Sequence, residues 1–173
     1  MNIKEVIAVV NQMQADGVIE PYAIGGAVGA TFYLEPVATL DVDIFVVIES
    51  APGSLIANPK RIFDYLKARG CTTERDYIVV AGTPVQFLPP PSPLVEEALN
   101  EAVTKGIDGT PVRVFTAEHL AAIALETGRG KDKARLLQFI EDGALDLPRF
   151  QEILARHNLV ERWQQFEQLF LGE

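Results

Sequence analysis

The sequence predicts an α+β fold: a small mixed β-sheet core with helices over residues 1–115, followed by a C-terminal helical bundle over residues 116–173. Three observations carry this. Val42 to Ile48 is a run of β-branched and aromatic residues, apolar on both faces as a central strand is. Tyr77–Ala81 and Val85–Leu88 flank Gly82-Thr83-Pro84, a hairpin signal. After residue 115 the character changes: 116–126, 132–142, 147–157 and 159–170 all read as helices, separated by glycine-rich or Asp/Pro breaks. That last part has too little chain to stand alone, so it is expected to pack on the core and close one side of a cleft.

The elements follow in order. Ile3, Val6, Ile7, Val10 and Met13 recur near helical period over residues 2–15, and Gly17 ends that helix. Tyr22-Ala23-Ile24 is a short strand broken by Gly25-Gly26, and Ala27 to Leu34 reads as a buried helix starting straight after the glycines. Pro59 opens a helix through Ile62, Phe63, Tyr65 and Leu66 that Gly70 ends. The prolines at 89, 90, 91 and 93 form a stiff connection into a helix over roughly 94–104. Asp108-Gly109 is a turn before the strand Val112–Phe115, and Thr116 then caps the next helix, with Glu118 and His119 in its first turn. No internal repeat or low-complexity tract interrupts this order.

Composition excludes several classes. Of 173 residues, 48% are hydrophobic and 23% charged, which argues against disorder. The net charge of -9 argues against a broad basic surface for bulk nucleic-acid binding, while leaving room for a local cation cluster that meets a nucleotide. The single cysteine, Cys71, has no partner within the chain, and it reads as structural. With no basic-then-apolar start and no uncharged stretch of membrane-spanning length, the expectation is a cytoplasmic protein without a membrane segment.

The chemistry is carried by Ile24-Gly25-Gly26 and Leu40-Asp41-Val42-Asp43-Ile44. Carboxylates at i and i+2 on a strand share one face. Side by side they repel by roughly 4 kcal/mol at a surface-like dielectric, a cost removed when a cation sits between them. Mg²⁺, hard and oxygen-seeking, is the natural ion. Gly25 and Gly26 let backbone approach a ligand, and a helix starting there aims free N–H groups at an anion. A Gly-Gly pair alone is a turn, and an Asp-x-Asp alone is a solvated strand edge. Together, with a short helix between, they point to a metal site for phosphoryl or nucleotidyl transfer.

At these residues the chain resembles the nucleotidyltransferase superfamily, the fold of DNA polymerase beta, and within it the minimal bacterial proteins of the AbiEii toxin type. Ile24-Gly25-Gly26, Thr39 and Asp41-Val42-Asp43-Ile44 match the family pattern, with a slightly long interval. The stretch Leu120 to Arg135, containing Thr127-Gly128-Arg129-Gly130-Lys131-Asp132, resembles its helical Gly-Arg-x-Lys-Asp segment. The resemblance implies that Asp41 and Asp43 bind Mg²⁺ and are catalytic, that Gly25, Gly26, Thr39 and Lys131 contact a nucleoside triphosphate, and that an antitoxin partner is encoded nearby.

Three departures bear on activity. The family's third carboxylate is matched here by Gln86, whose amide is no general base and a poor Mg²⁺ ligand. Val37 stands where toxin-type relatives often carry Arg, and Ala124 where they often carry Lys. Together they point to weakened or altered catalysis, with Glu74 and Asp76 as the less favoured substitutes for the third carboxylate. Arg129 is a weaker phosphate candidate than Lys131. His119 is expected at the surface and His157 near a helix end, too far apart in sequence to form a metal motif. Trp163, Phe166, Leu169 and Phe170, at helical spacing, are expected to pack on the core, a dimer surface being the second choice.

Overall fold

The computed structural model describes residues 1–50, 52–53 and 58–172. Among them the chain forms eight helices and seven strands. The elements run α1 (Ile3–Ala15), β1 (Ala23–Ile24), α2 (Gly26–Ala30), β2 (Val42–Phe45), α3 (Lys60–Lys67), β3 (Thr72–Glu74), β4 (Tyr77–Val80) and β5 (Thr83–Leu88). They continue as α4 (Pro93–Asn100), β6 (Val103–Ile107), β7 (Thr110–Val114), α5 (Ala117–Thr127), α6 (Gly130–Glu141), α7 (Leu147–Arg156) and α8 (Val160–Phe170). The fold is therefore mixed α+β, with one sheet ordered β3-β4-β5-β2-β1-β7-β6.

The strand Val42–Phe45 lies at the centre of that sheet. It runs parallel to β5, with Asp43 opposite Gln86, and antiparallel to β1, with Ile24 opposite Ile44. Alternation assigns its two faces. Val42, Ile44 and Val46 are fully buried in a core shared with α1, α3 and β4. Asp41, Asp43 and Phe45 point the other way, where Phe45 packs against the apolar cluster built by α2, α4 and the C-terminal helices. The ladder ends at Phe45, short of the Ile48 expected, although Val46 N–H still donates to Leu88 O at 3.0 Å.

Two hairpins organise the sheet's flanks. Ala81 and Gly82, both at positive φ (49° and 74°), form the two-residue turn between Val80 and Thr83. That is the turn whose twist suits adjacent antiparallel strands. It begins one residue before the expected Gly82-Thr83-Pro84, leaving Pro84 inside β5. The helix expected over 94–104 stops at Asn100, and 103–107 is the edge strand β6, paired among the described residues with β7 alone, through the Asp108-Gly109 turn. Three of its five residues are exposed, so it offers no apolar alternation by which sequence would reveal it. The exposed Thr72–Glu74 strand at the other edge escaped detection for the same reason.

The C-terminal helices share one apolar cluster with α2 and α4. Helix α5 is buried nearly all round, with Thr116 accepting from His119 N–H at 3.2 Å as its cap. His119, expected at the surface, is fully buried. The alanines at 121, 122 and 124 let neighbouring helices close in on every side of α5. Trp163 and Phe166 are buried, Trp163 meeting Phe150 edge-on with centroids 5.1 Å apart, whereas Leu169 and Phe170 are 76% and 45% exposed. In that last turn Phe170 lies on the buried Phe166 ring, with centroids 4.8 Å apart, rather than within the core. Among the described residues no helix is long and apolar enough to cross a membrane.

Glu97 on α4 ties the layers together. Arg156 Nη2 donates to its Oε1 at 2.8 Å, and the Nε2 atoms of His119 and His157 lie 3.1 and 2.8 Å from its carboxylate. Hydrogen bonding from Arg156, ahead of that from the histidines, holds the Glu97 carboxyl down at about 2. A depressed folded pKa stabilises the fold above the ordinary value of 4.5, and that contribution is lost as pH falls from there toward 2. In chelated protein, Glu97→Gln is expected to lower stability by about 2 kcal/mol at neutral pH. Urea unfolding of both proteins at pH 7 and pH 3 checks it: the gap should shrink at the lower pH.

Candidate functional site

The bend at residues 24–26 brings the glycines against the second aspartate. Gly25 N–H extends the β1–β2 ladder by donating to Asp43 O at 3.1 Å. Gly26 then turns back at φ +58°, and a Cβ placed on it would overlap Asp43 Oδ2. Glycine is required there because the carboxylate occupies the space a side chain would take. At Gly25 the reason differs from the ligand approach expected: a Cβ would strike the Phe45 and Phe115 rings at 2.6 and 2.9 Å. Those rings pack with centroids 5.0 Å apart, so this glycine serves aromatic packing. Helix α2 is also only five residues long, shorter than the Ala27–Leu34 expected, so its dipole supplies little.

Asp43 is half-buried, and burial, followed by repulsion from Asp41, raises its pKa above the usual carboxylate value. Lys131, Arg129 and Arg135, all from the start of α6, oppose that rise. Asp132, nearly fully buried, organises them: Arg129 Nε donates to its Oδ2 at 2.6 Å, and Arg135 Nη1 lies 3.6 Å from its Oδ1. A cleft of about 500 Å³ opens beside this group, with Thr39, Leu40, Asp41, Lys131, Arg135 and Gln138 among its walls. That volume suits a small-molecule ligand. A comparable cleft of about 530 Å³ lies beyond the other end of β2, around Val47–Glu49 and Arg61, away from the aspartates.

The remaining candidates are distributed as follows. The Thr39 hydroxyl donates to Asp41 O at 3.3 Å and tethers the loop that delivers Asp41. Val37 is half exposed on the cleft wall, while Ala124 is buried in α5 beneath a different hollow. Gln86 is the in-register parallel neighbour of Asp43, so both side chains stand on one face of the sheet. Glu74 and Asp76 are exposed at the β3 edge, with β4 and β5 between them and Asp43. Among the described residues no third carboxylate, histidine or cysteine joins Asp41 and Asp43 in a cluster of ligands. Sequence reasoning missed Arg135 as a site residue. Its signal was its position four residues after Lys131, on the same helix face.

The donor set and its surroundings fit Mg²⁺: two hard carboxylates two residues apart at the start of β2, one with its pKa raised by burial and then by the other's charge, and cations at the start of α6 for an anionic ligand. No protein-family model matches the sequence, and no curated protein sequence matches it. Solved structures do. An antigenic nucleotidyltransferase-like protein from Paracoccidioides brasiliensis aligns with a TM-score of 0.58 at 16% identity, covering 94% of this chain and 92% of that one. The antibiotic-resistance factor ANT(2'')-Ia, whose solution structure reveals substrate-regulated conformation dynamics, aligns at 0.52 and 15% identity over 100% of both chains. With these two likenesses, and with Asp43 on the central β2 and Asp41 immediately before it, the chain has the nucleotidyltransferase fold.

Proposed function

We propose that this chain is a Mg²⁺-dependent nucleotidyltransferase that moves a nucleoside monophosphate from a nucleoside triphosphate to a hydroxyl acceptor. The observation that carries the reading is the seating of Asp43 against Gly26, with Asp41 close enough to repel it, and with Asp41, Lys131 and Arg135 lining one cleft. Residues 1–115 act as the catalytic core, and residues 116–173 as a helical region supplying the cationic wall. Asp41 and Asp43 hold Mg²⁺, which when bound neutralises phosphate charge. Lys131 and Arg135 bind phosphate oxygens, and Thr39 with the Gly25-Gly26 backbone borders the nucleotide. The acceptor oxygen bonds to the α-phosphorus, the bond to pyrophosphate breaks, and the acceptor proton passes to solvent, because Gln86 cannot take it.

A toxin role with an antitoxin partner, in the cytoplasm, is the finer form of this proposal and is supported by the motif resemblance to the AbiEii type. A second reading, a catalytically weakened nucleotide-binding or regulatory protein, is favoured by Gln86 standing in register with Asp43. Incubation with each labelled nucleoside triphosphate, Mg²⁺ and RNA, protein or small-alcohol acceptors tests both. Mg²⁺-dependent labelled product supports the enzyme. Calorimetric binding without product supports the weakened protein, and neither binding nor product overturns both. Gln86→Glu, nearly isosteric, is expected to raise transfer roughly tenfold or more, measured as initial rate of labelled product.

A further inference from the structure

The chain has only two histidines, 38 residues apart, and the fold brings both to one carboxylate. Glu97 and Glu101 lie one turn apart at the end of α4. His119 Nε2 is 3.1 Å from Glu97 Oε1 and 4.0 Å from Glu101 Oε2, and His157 Nε2, at the end of α7, is 2.8 Å from Glu97 Oε2. One ligand atom from each of Glu97, Glu101 and His119 falls within 4.8 Å of the others. We propose that Glu97, Glu101, His119 and His157 form a second divalent-cation site, of the zinc class, that fastens α5 and α7 to α4.

Tetrahedral zinc, with ligands at roughly 2.0–2.2 Å, sets its ligand atoms about 3.3 Å apart, so Glu97, Glu101 and His119, within 4.8 Å of one another, need only draw in, and His157 joins them from its 2.8 Å contact with Glu97. Two imidazole nitrogens beside two carboxylates select a borderline ion over Mg²⁺, which takes oxygen alone. His119 is fully buried, and its Nδ1 lies 2.7 Å from Thr116 Oγ1, the outer hydrogen bond that orients a ligating imidazole. Arg156 and Arg149 cover the two carboxylates, with side chains 47% and 42% exposed. A cation entering here takes over from the guanidinium groups, which turn to solvent; the hydrogen bonds from Arg156 that hold the Glu97 carboxyl at about 2 are what it displaces. Occupancy would steady α5, from whose end at Gly128 the chain passes into α6 with Lys131 and Arg135.

The test is zinc content of the full chain after equilibration with Zn²⁺ in excess Mg²⁺ and desalting, with the melting temperature taken alongside. The expected result is one zinc per chain in the wild type and in the Asp41→Asn/Asp43→Asn double variant. His157→Asn/Glu101→Gln, at the less buried positions, should weaken zinc at least tenfold in chelator competition and abolish its effect on melting. A wild type without a retained zinc overturns the proposal, and so does zinc lost with the aspartates but kept in the histidine–glutamate variant. Neither result touches the nucleotide assay, so the two sites fail separately.

Discussion

Asp43→Asn is expected to lower Mg²⁺-dependent nucleotidyl transfer by at least about 10³-fold, because it removes one of the two carboxylates facing the cationic wall. The same change should raise the melting temperature of the metal-free protein at neutral pH. Burial and the neighbouring Asp41 push the Asp43 pKa up, so its charged form is unfavourable in the folded state. For a raised carboxyl the sign is opposite to that of Glu97. Its penalty is absent below the ordinary value of 3.8, where both states are protonated, and appears as pH rises through the folded pKa. The stabilisation by Asn should therefore be present at pH 7 and vanish in acid. Labelled-product assays and melting curves in chelator at two pH values measure both. An unchanged rate would remove Asp43 from the machinery, and a lower melting point at pH 7 would contradict the electrostatic account.

Gly26→Ala is expected to destabilise the fold by about 2 kcal/mol and to weaken Mg²⁺ binding at least tenfold. The strain of a non-glycine residue at φ +58° supplies part of the stability loss. The overlap with Asp43 Oδ2 supplies the rest and acts on function, since the carboxylate must turn away to make room. Gly70→Ala is the control: φ is +82° there, but nothing lies within 4 Å of an added Cβ. It should show the strain without the loss of Mg²⁺ affinity. Equal Mg²⁺ affinity in the two variants by calorimetry would show that the close approach of Gly26 to Asp43 has no bearing on the site.

Both predictions depend on how local pattern and long-range packing divide the information. Asp41 and Asp43 were legible as a pair because a strand's two-residue period puts them on one face whatever the strand packs against. The helices after residue 115 were legible because 3.6-residue periodicity and caps such as Thr116 act within a few residues. Edge strands β3 and β6 were not, because an exposed strand paired on one side needs no apolar alternation. The ladder between β2 and β5 joins segments some forty residues apart, and only that pairing puts Gln86 beside Asp43.

The sequence by itself determined the mixed architecture, the paired carboxylates and the glycine bend, since each depends on neighbours along the chain. Tertiary structure alone decided that Gly26 yields its side-chain space to Asp43 while Gly25 yields to two aromatic rings. It also decided that Lys131 and Arg135 reach the cleft that Asp41 lines, and that the chain's two histidines share Glu97. The physical reason is that close packing and charge act through space, between groups whose separation along the chain leaves no local periodic trace.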